Sequence, residues 1–188
     1  SVPGEVKTIQ SLGRSHNVAA RGKRVLLIEA DIRRRTMGDY FTVPEKMGLL
    51  TAIKDQDKLD DAIYHDDKLG IDILFGETSQ ENAADFFASD DFALFLKRAR
   101  EIYDVIIIDT PPVLAVPDAR VIGQHADVIL YVVRWDSTPM AQIRAGMRSF
   151  QSANLQVDGL VLSQVSIKGM KRYGHEGGYG YGKGYYDN

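Results

Sequence analysis

Five stretches of this chain are apolar along almost their whole length, and that continuity constrains the fold more than any other feature. They are RVLLIE (Arg24 to Glu29), IDILF (Ile71 to Phe75), DVIIID (Asp104 to Asp109), DVILYVVR (Asp127 to Arg134) and the stretch from Leu155 to Gln164. A strand with one face in water alternates apolar and polar residues, whereas a continuous run belongs to a strand covered on both faces. Segments with helical character lie between the runs: about Lys7 to Ala20, Leu49 to Lys54, Asp90 to Tyr103, Pro117 to Gln124 and Pro139 to Ala153. Gly22 closes the first, and Pro117 and Pro139 stand where first helical turns begin. The alternation predicts an α/β fold, a mainly parallel central sheet with helices on both faces and right-handed crossovers. Such a sheet binds ligands at the carboxyl ends of its strands.

Composition sets the outer limits. A chain of 188 residues, 44% hydrophobic, can bury a full core without covalent staples. The absence of cysteine excludes disulfides, thiolate metal sites and a thiol nucleophile. A net charge of −3 argues against nucleic acid as a partner. No apolar run reaches the roughly 18 to 20 residues of a membrane span, and no cationic start leads into an apolar stretch. From Tyr173 the chain reads YGHEGGYGYGKGYYDN, with five of the nine tyrosines, six of the 17 glycines and no aliphatic residue. We therefore expect one domain over 1–172 and a flexible tail over 173–188.

Three short segments carry chemistry. SVPGEVKT (Ser1 to Thr8) precedes the first helical segment. A phosphate-binding loop needs small residues whose backbone N–H groups surround an anion, then Lys for the phosphates and Ser or Thr for a magnesium ion. Gly4, Lys7 and Thr8 suit those tasks, while Val6 occupies the place of a glycine, and Glu5 lies between. A Pro-Gly turn before a helix is the plain alternative. The strand expected to lead into such a loop does not precede it, so the domain is expected to lack its first strand. The second segment, RVLLIEADIRRR, puts Glu29 and Asp31 two residues apart at a strand's carboxyl end, followed by Arg33, Arg34 and Arg35. The third, DVIIIDTPP, ends a strand on Asp109. Carboxylates at that edge can hold magnesium or take a proton from an attacking hydroxyl, and acidic residues also end strands for purely structural reasons.

SVPGEVKT, LLIEADIRR and VIIIDTPP, followed by a tyrosine-rich carboxyl terminus, resemble in order and spacing the Walker A, second Walker A and Walker B motifs and tyrosine cluster of bacterial tyrosine kinases, the BY-kinases of capsule and exopolysaccharide synthesis. The first two motifs also occur in ParA and MinD ATPases, whose signature lysine is replaced here by Val2 or Pro3. The resemblance implies a P-loop NTPase-like three-layer sandwich that uses ATP and Mg2+. Gly4, Glu5, Val6, Lys7, Thr8 and Arg33 would contact the nucleotide. Thr8, Asp31 and Asp109 would bind metal, and Lys7, Glu29, Asp31 and Asp109 would be catalytic. Glu29 falls where the family has an aspartate that activates the hydroxyl. The substrates implied are Tyr173, Tyr179, Tyr181, Tyr185 and Tyr186, phosphorylated in trans. Further implications are a ring-like homo-oligomer, a membrane-spanning co-polymerase-type activator, a protein-tyrosine phosphatase and a cytoplasmic position at the inner membrane face. Two alternatives stay open at this point: a ParA- or MinD-like ATPase switch, and a pseudokinase whose site is impaired by Val6 and Glu29.

Other chemistry-bearing residues have bland readings. His16, His65, His125 and His175 show no metal-ligand spacing. Trp135 suits edge packing or a base pocket, Asp118 and Arg120 suit a helix start or a site pair, and DKLDDAIYHDDK (Asp57 to Lys68) reads as a solvated surface.

Overall fold

In the computed structural model, residues 5–41, 48–55, 58–78 and 82–170 are described. Their order is α1 (Glu5–Ala19), β1 (Val25–Glu29), a 3-10 turn (Met37–Tyr40), α2 (Leu49–Lys54), α3 (Leu59–Ala62), β2 (Tyr64–Asp66), β3 (Ile71–Leu74), α4 (Ala83–Phe87) and α5 (Asp90–Ile102). Then come β4 (Val105–Asp109), α6 (Asp118–Gly123), β5 (Leu130–Arg134), α7 (Met140–Gln151), β6 (Gly159–Ser163) and α8 (Ile167–Met170).

The strands form two sheets, one ordered β2-β3-β1-β4 and one pairing β5 with β6. Every pairing is parallel except β2 with β3, which is antiparallel. Residues 58–68 of the acidic run fold into α3 and the edge strand β2, with Lys58, Asp60, Asp61, His65, Asp67 and Lys68 exposed on the solvated surface expected of it. Only three residues long, β2 is too short to leave a periodicity signal. The two carboxyl-terminal strands are shorter than their apolar runs, because Asp127 to Ile129 and Leu155 to Asp158 lie outside the ladder.

β1 shows why the runs are continuous. All five of its residues are buried. Successive side chains leave a strand on opposite faces, so Val25 and Leu27 pack with Met37, Ile71 and Ile73 on the α1 side. Leu26 and Ile28 join Leu49, Ile53, Phe92 and Phe95 on the other face. Helices thus cover both faces, as expected. On the second face Phe87 and Phe92 meet edge to face at 5.2 Å, and Phe92 meets His125 at 5.4 Å. A third cluster of Val113, Ala119, Tyr131, Val133 and Phe150 seats α6 and α7 on β5.

Local capping explains several helix starts. Ser89 accepts from Phe92 N and Asn82 from Ala84 N at the starts of α5 and α4. α2 begins at Gly48, which has no side chain to cap with, and Glu77 supplies the acceptors from outside. One Glu77 oxygen receives Thr51 N at 2.8 Å, and the other receives Thr51 Oγ1 at 2.8 Å. A β-carbon at residue 48 would lie 2.8 Å from Phe75 O, so the close approach needs glycine.

Candidate functional site

β1 and β4 are in register from Val25 opposite Val105 to Glu29 opposite Asp109. Both apolar runs therefore end at one level of the sheet, and their terminal carboxylates lie side by side on the α1 face. The amino-terminal turns of α1 come down onto this edge. Thr8 Oγ1 donates to Asp109 Oδ2 at 2.6 Å, Ser11 Oγ donates to Asp109 Oδ1 at 3.3 Å, and Lys7 Nζ donates to Thr110 O. Thr8 and Asp109 are 3% and 5% exposed.

Asp31 follows Glu29 beyond the strand end, where the backbone turns. Its carbonyl accepts from Arg34 N and Arg35 N, and its Oδ1 also accepts from Arg34 N at 3.3 Å. The turn closes on Arg35, whose φ of 48° is left-handed. Asp31 thereby faces a cavity of about 300 Å³ shared with Arg33, Arg34, Pro111, Pro112 and Gln142.

The electrostatics follow from burial of like and unlike charges at one edge. Burial lowers the pKa of Lys7, and Arg34 lowers it further, while Asp109 and Asp31 oppose them by holding the ammonium charged. Burial raises the pKa of Asp109, and the Asp31 charge adds to this. The Thr8 hydrogen bond, Lys7 and the Ser11 hydrogen bond act in the opposite direction. Glu29 is also raised by burial, against hydrogen bonds from backbone N–H groups. Its Oε1 accepts from Met37 N at 2.7 Å and its Oε2 from Gly76 N at 3.0 Å, and the residue is 2% exposed. Glu29 therefore ties the segment after β1 to the segment after β3.

The structure brings together Lys7, Thr8, Glu29, Asp31 and Asp109, with Arg33 at the rim. Arg33 Nε lies 3.4 Å from Oδ2 of Asp118, a wholly buried carboxylate with no hydrogen-bond partner among the described residues. Of the two sequence readings for Asp118 and Arg120, Asp118 does begin α6, and its ionic partner is Arg33. Glu5 and Val6 lie in the first turn of α1. Gly4 and Tyr173, Tyr179, Tyr181, Tyr185 and Tyr186 lie outside the described residues. Trp135 packs its ring over Gly169 of α8, where an added β-carbon would lie 2.3 Å from the indole. His16 and His65 bond to Leu69 O and Asp72.

Ser11, Thr36 and Thr110 complete the site without having been singled out from the sequence. Thr36 Oγ1 is 3.5 Å from Thr8 Oγ1. Ser11 and the fully buried Ser15 had a signal, since Lys7, Ser11 and Ser15 recur every four residues and make a polar stripe on α1. Thr36 and Thr110 act through long-range placement or a main-chain carbonyl, which no side-chain pattern marks.

A model of the AAA domain family matches residues 3–152. Tyrosine-protein kinase ptk of Acinetobacter johnsonii is 33% identical over 148 residues, covering 79% of this chain and 20% of that protein. Among solved structures, the VpsO kinase domain superposes with a TM-score of 0.81 at 29% identity over 87% of this chain and 81% of that one. The kinase domain of the Escherichia coli tyrosine kinase Etk gives 0.77 at 29% identity, over 93% of this chain and 66% of that one.

The chain belongs to the AAA-domain family, in its bacterial tyrosine kinase branch.

The P-loop class of three-layer fold expected of a BY-kinase is what the sheet and its two helical layers form. The chain spans about a fifth to a quarter of the length of the first curated relatives it matches. Among the described residues no helix is long and apolar enough to cross a membrane.

Among the described residues, no group of three or more His, Asp or Glu side chains could hold a metal by itself. Magnesium seldom needs one, because it takes one or two carboxylates and completes its shell with water and phosphate oxygens. Thr8, Asp109 and Asp31 offer that kind of hard oxygen set, with a lysine beside it for phosphate charge.

Proposed function

We propose that this domain is an ATP- and Mg2+-dependent protein-tyrosine kinase that phosphorylates the tyrosines of its own carboxyl-terminal segment, one subunit acting on the next. The observation that carries the reading is the convergence of Lys7, Thr8, Asp31 and Asp109 at one strand edge, beside a cavity bordered by Arg33 and Arg34. Lys7 and the guanidinium groups would neutralise phosphate charge, and Thr8 and Asp109 would hold the magnesium ion. When bound, that ion screens the charge that develops on the transferred group.

In the transfer itself, the tyrosine oxygen forms a bond to the γ-phosphorus as the bond to the ADP oxygen breaks, and the hydroxyl proton passes to a carboxylate. We assign the proton to Asp31, which borders the cavity, and give Glu29 a supporting task because both of its oxygens already accept backbone N–H groups. Alignment of oxygen and phosphorus supplies most of the catalysis in such a reaction. Tyr173, Tyr179, Tyr181, Tyr185 and Tyr186 are the acceptors in this proposal. A ring-like homo-oligomer, a membrane-spanning co-polymerase-type activator, an opposing phosphatase and a role in exopolysaccharide or capsule export at the inner membrane face belong to it as well.

The test is incubation of the purified chain with ATP and Mg2+, followed by mass spectrometry of the tail. Phosphotyrosine that disappears in Lys7→Ala supports the kinase. Release of inorganic phosphate with an unmodified tail would make it an ATPase switch. No ADP–Mg2+ binding by calorimetry, restored by Val6→Gly, would make it a pseudokinase.

A further inference from the structure

Asp118 is wholly buried, and neither of its carboxylate oxygens has a hydrogen-bond partner among the described residues. A carboxylate taken out of water in that state is costly to fold unless a cation compensates it. Asp118 stands in the first turn of α6, yet capping does not account for it, because its oxygens accept nothing from the helix. The N–H groups of Arg120 and Val121 bond to Pro117 O instead. A helix start favours negative charge without requiring that the charge be buried. What the described residues give Asp118 is Arg33, whose Nε lies 3.4 Å from its Oδ2.

The two ends of this pair are held unequally. Ala119 beside Asp118 and Ile122 one turn on are buried in core clusters, so the packing of α6 fixes where the carboxylate stands. The Arg33 side chain is 48% exposed and long, and alone it would sample many rotamers in water. The carboxylate is therefore the anchor, and the guanidinium is the group being placed. Contact through Nε leaves both Nη nitrogens, whose forked geometry suits phosphate, for another acceptor.

The cavity of about 300 Å³ supplies the place for that acceptor. Arg33 lines it with Asp31 and Arg34 on one side, and the loop after β4 lines the other. Asp118 stands where that loop enters α6. The ion pair thus ties the segment after β1 to the segment after β4, across the cavity that Asp31 borders.

We infer that Asp118 is a positioning residue: buried and otherwise unpaired, it holds Arg33 through Nε so that the Nη groups meet a phosphoryl group in the cavity. This rests on the kinase reading above and adds to it a residue that touches neither nucleotide nor tyrosine. A charge placed in advance acts on the charge that develops during transfer, so its loss lowers kcat more than it changes KM.

The experiment compares the parent, Asp118→Asn, Arg33→Ala, Arg33→Lys and the Asp118→Asn/Arg33→Ala double variant. Tail labelling with Mg2+ is followed over a range of ATP concentrations, and thermal unfolding is measured without nucleotide. Asp118→Asn keeps the size of the side chain and should lower kcat by about tenfold or more, with KM for ATP changed by less than about threefold. Arg33→Ala should lose at least as much, and the double variant no more than Arg33→Ala. Arg33→Lys keeps a charge against Asp118 but not the fork, so it should melt like the parent and still lose about tenfold in kcat. Melting separates positioning from support of the fold. Arg33→Ala strands the buried carboxylate and should melt several degrees below the parent, while Asp118→Asn melts close to the parent and restores the midpoint in the double variant. Unchanged kcat in Asp118→Asn, additive losses in the double variant, or an Asp118→Asn chain that no longer folds would overturn the inference. Absence of labelling in the parent would overturn the kinase reading instead. The pair would then be decided by the melts alone, where equal midpoints for Arg33→Ala and the parent would overturn it.

Discussion

Asp31 and Glu29 stand two residues apart with the same functional group, and their surroundings give them different work. Asp31 borders the cavity with Arg33 and Arg34, whereas Glu29 is sealed beneath it with two backbone N–H partners. Asp31→Asn should reduce tail labelling by about a hundredfold or more, the range for loss of a proton acceptor. Glu29→Gln should leave a measurable labelling rate and lower the unfolding midpoint, since an amide cannot accept both bonds through oxygen. Comparing initial rates with thermal melts of the two variants checks the assignment, and equal rate losses would refute it. His65 gives a second residue-scale prediction. Its Nδ1 lies 2.6 Å from Asp72 Oδ1, and that bond raises its pKa above 6.5. The folded state then binds the proton more tightly than the unfolded state, so the stabilisation is complete below pH 6.5 and fades as pH rises through the raised value. The pair is mostly exposed, which screens it to about 0.5 kcal/mol. His65→Gln should therefore melt lower than the parent at pH 5.5 and match it near pH 8.5.

At the level of elements, length and burial decide what could be read in advance. β1, α2 and α5 fall within a residue of their expected spans, because each carries an uninterrupted apolar run or a full period with a cap. α4 and β2 had five and three residues in which to declare themselves and were not foreseen. Glu77 capping α2 from the far side of β3 has no local signature at all. The most demanding element contact is α5 against the sheet, where Phe92 is fully buried among Phe86, Phe87, Phe95 and His125. Phe92→Ala should cost about 3 to 5 kcal/mol, read by denaturant unfolding, because a ring-sized cavity in that cluster can collapse only partly. Ser89→Ala, which removes only the α5 cap, should cost about 1 kcal/mol in the same measurement.

Across the whole molecule, the two sheets differ in how well they are covered. The β1-centred sheet is enclosed between α1 and the α2, α4 and α5 layer, while Leu130, Leu160 and Leu162 of the β5–β6 pair remain exposed. Amides of β5 and β6 should exchange with solvent about tenfold or more faster than those of β1 and β3, by opening of a less stable unit. Equal protection of the two sheets would contradict that ranking. The sequence by itself determined the α/β class and the carboxylates at strand ends, since continuous apolar runs, strand-ending acids and a Lys-Thr pair at the start of a helix are local patterns with local causes. The tertiary structure alone decided that Glu29 and Asp109 stand in register, that Glu29 is sealed while Asp31 faces the cavity, and that Asp118 meets Arg33. Those facts depend on which segments, distant along the chain, are brought together by burying both faces of the sheet at once, and no window of neighbouring residues contains that information.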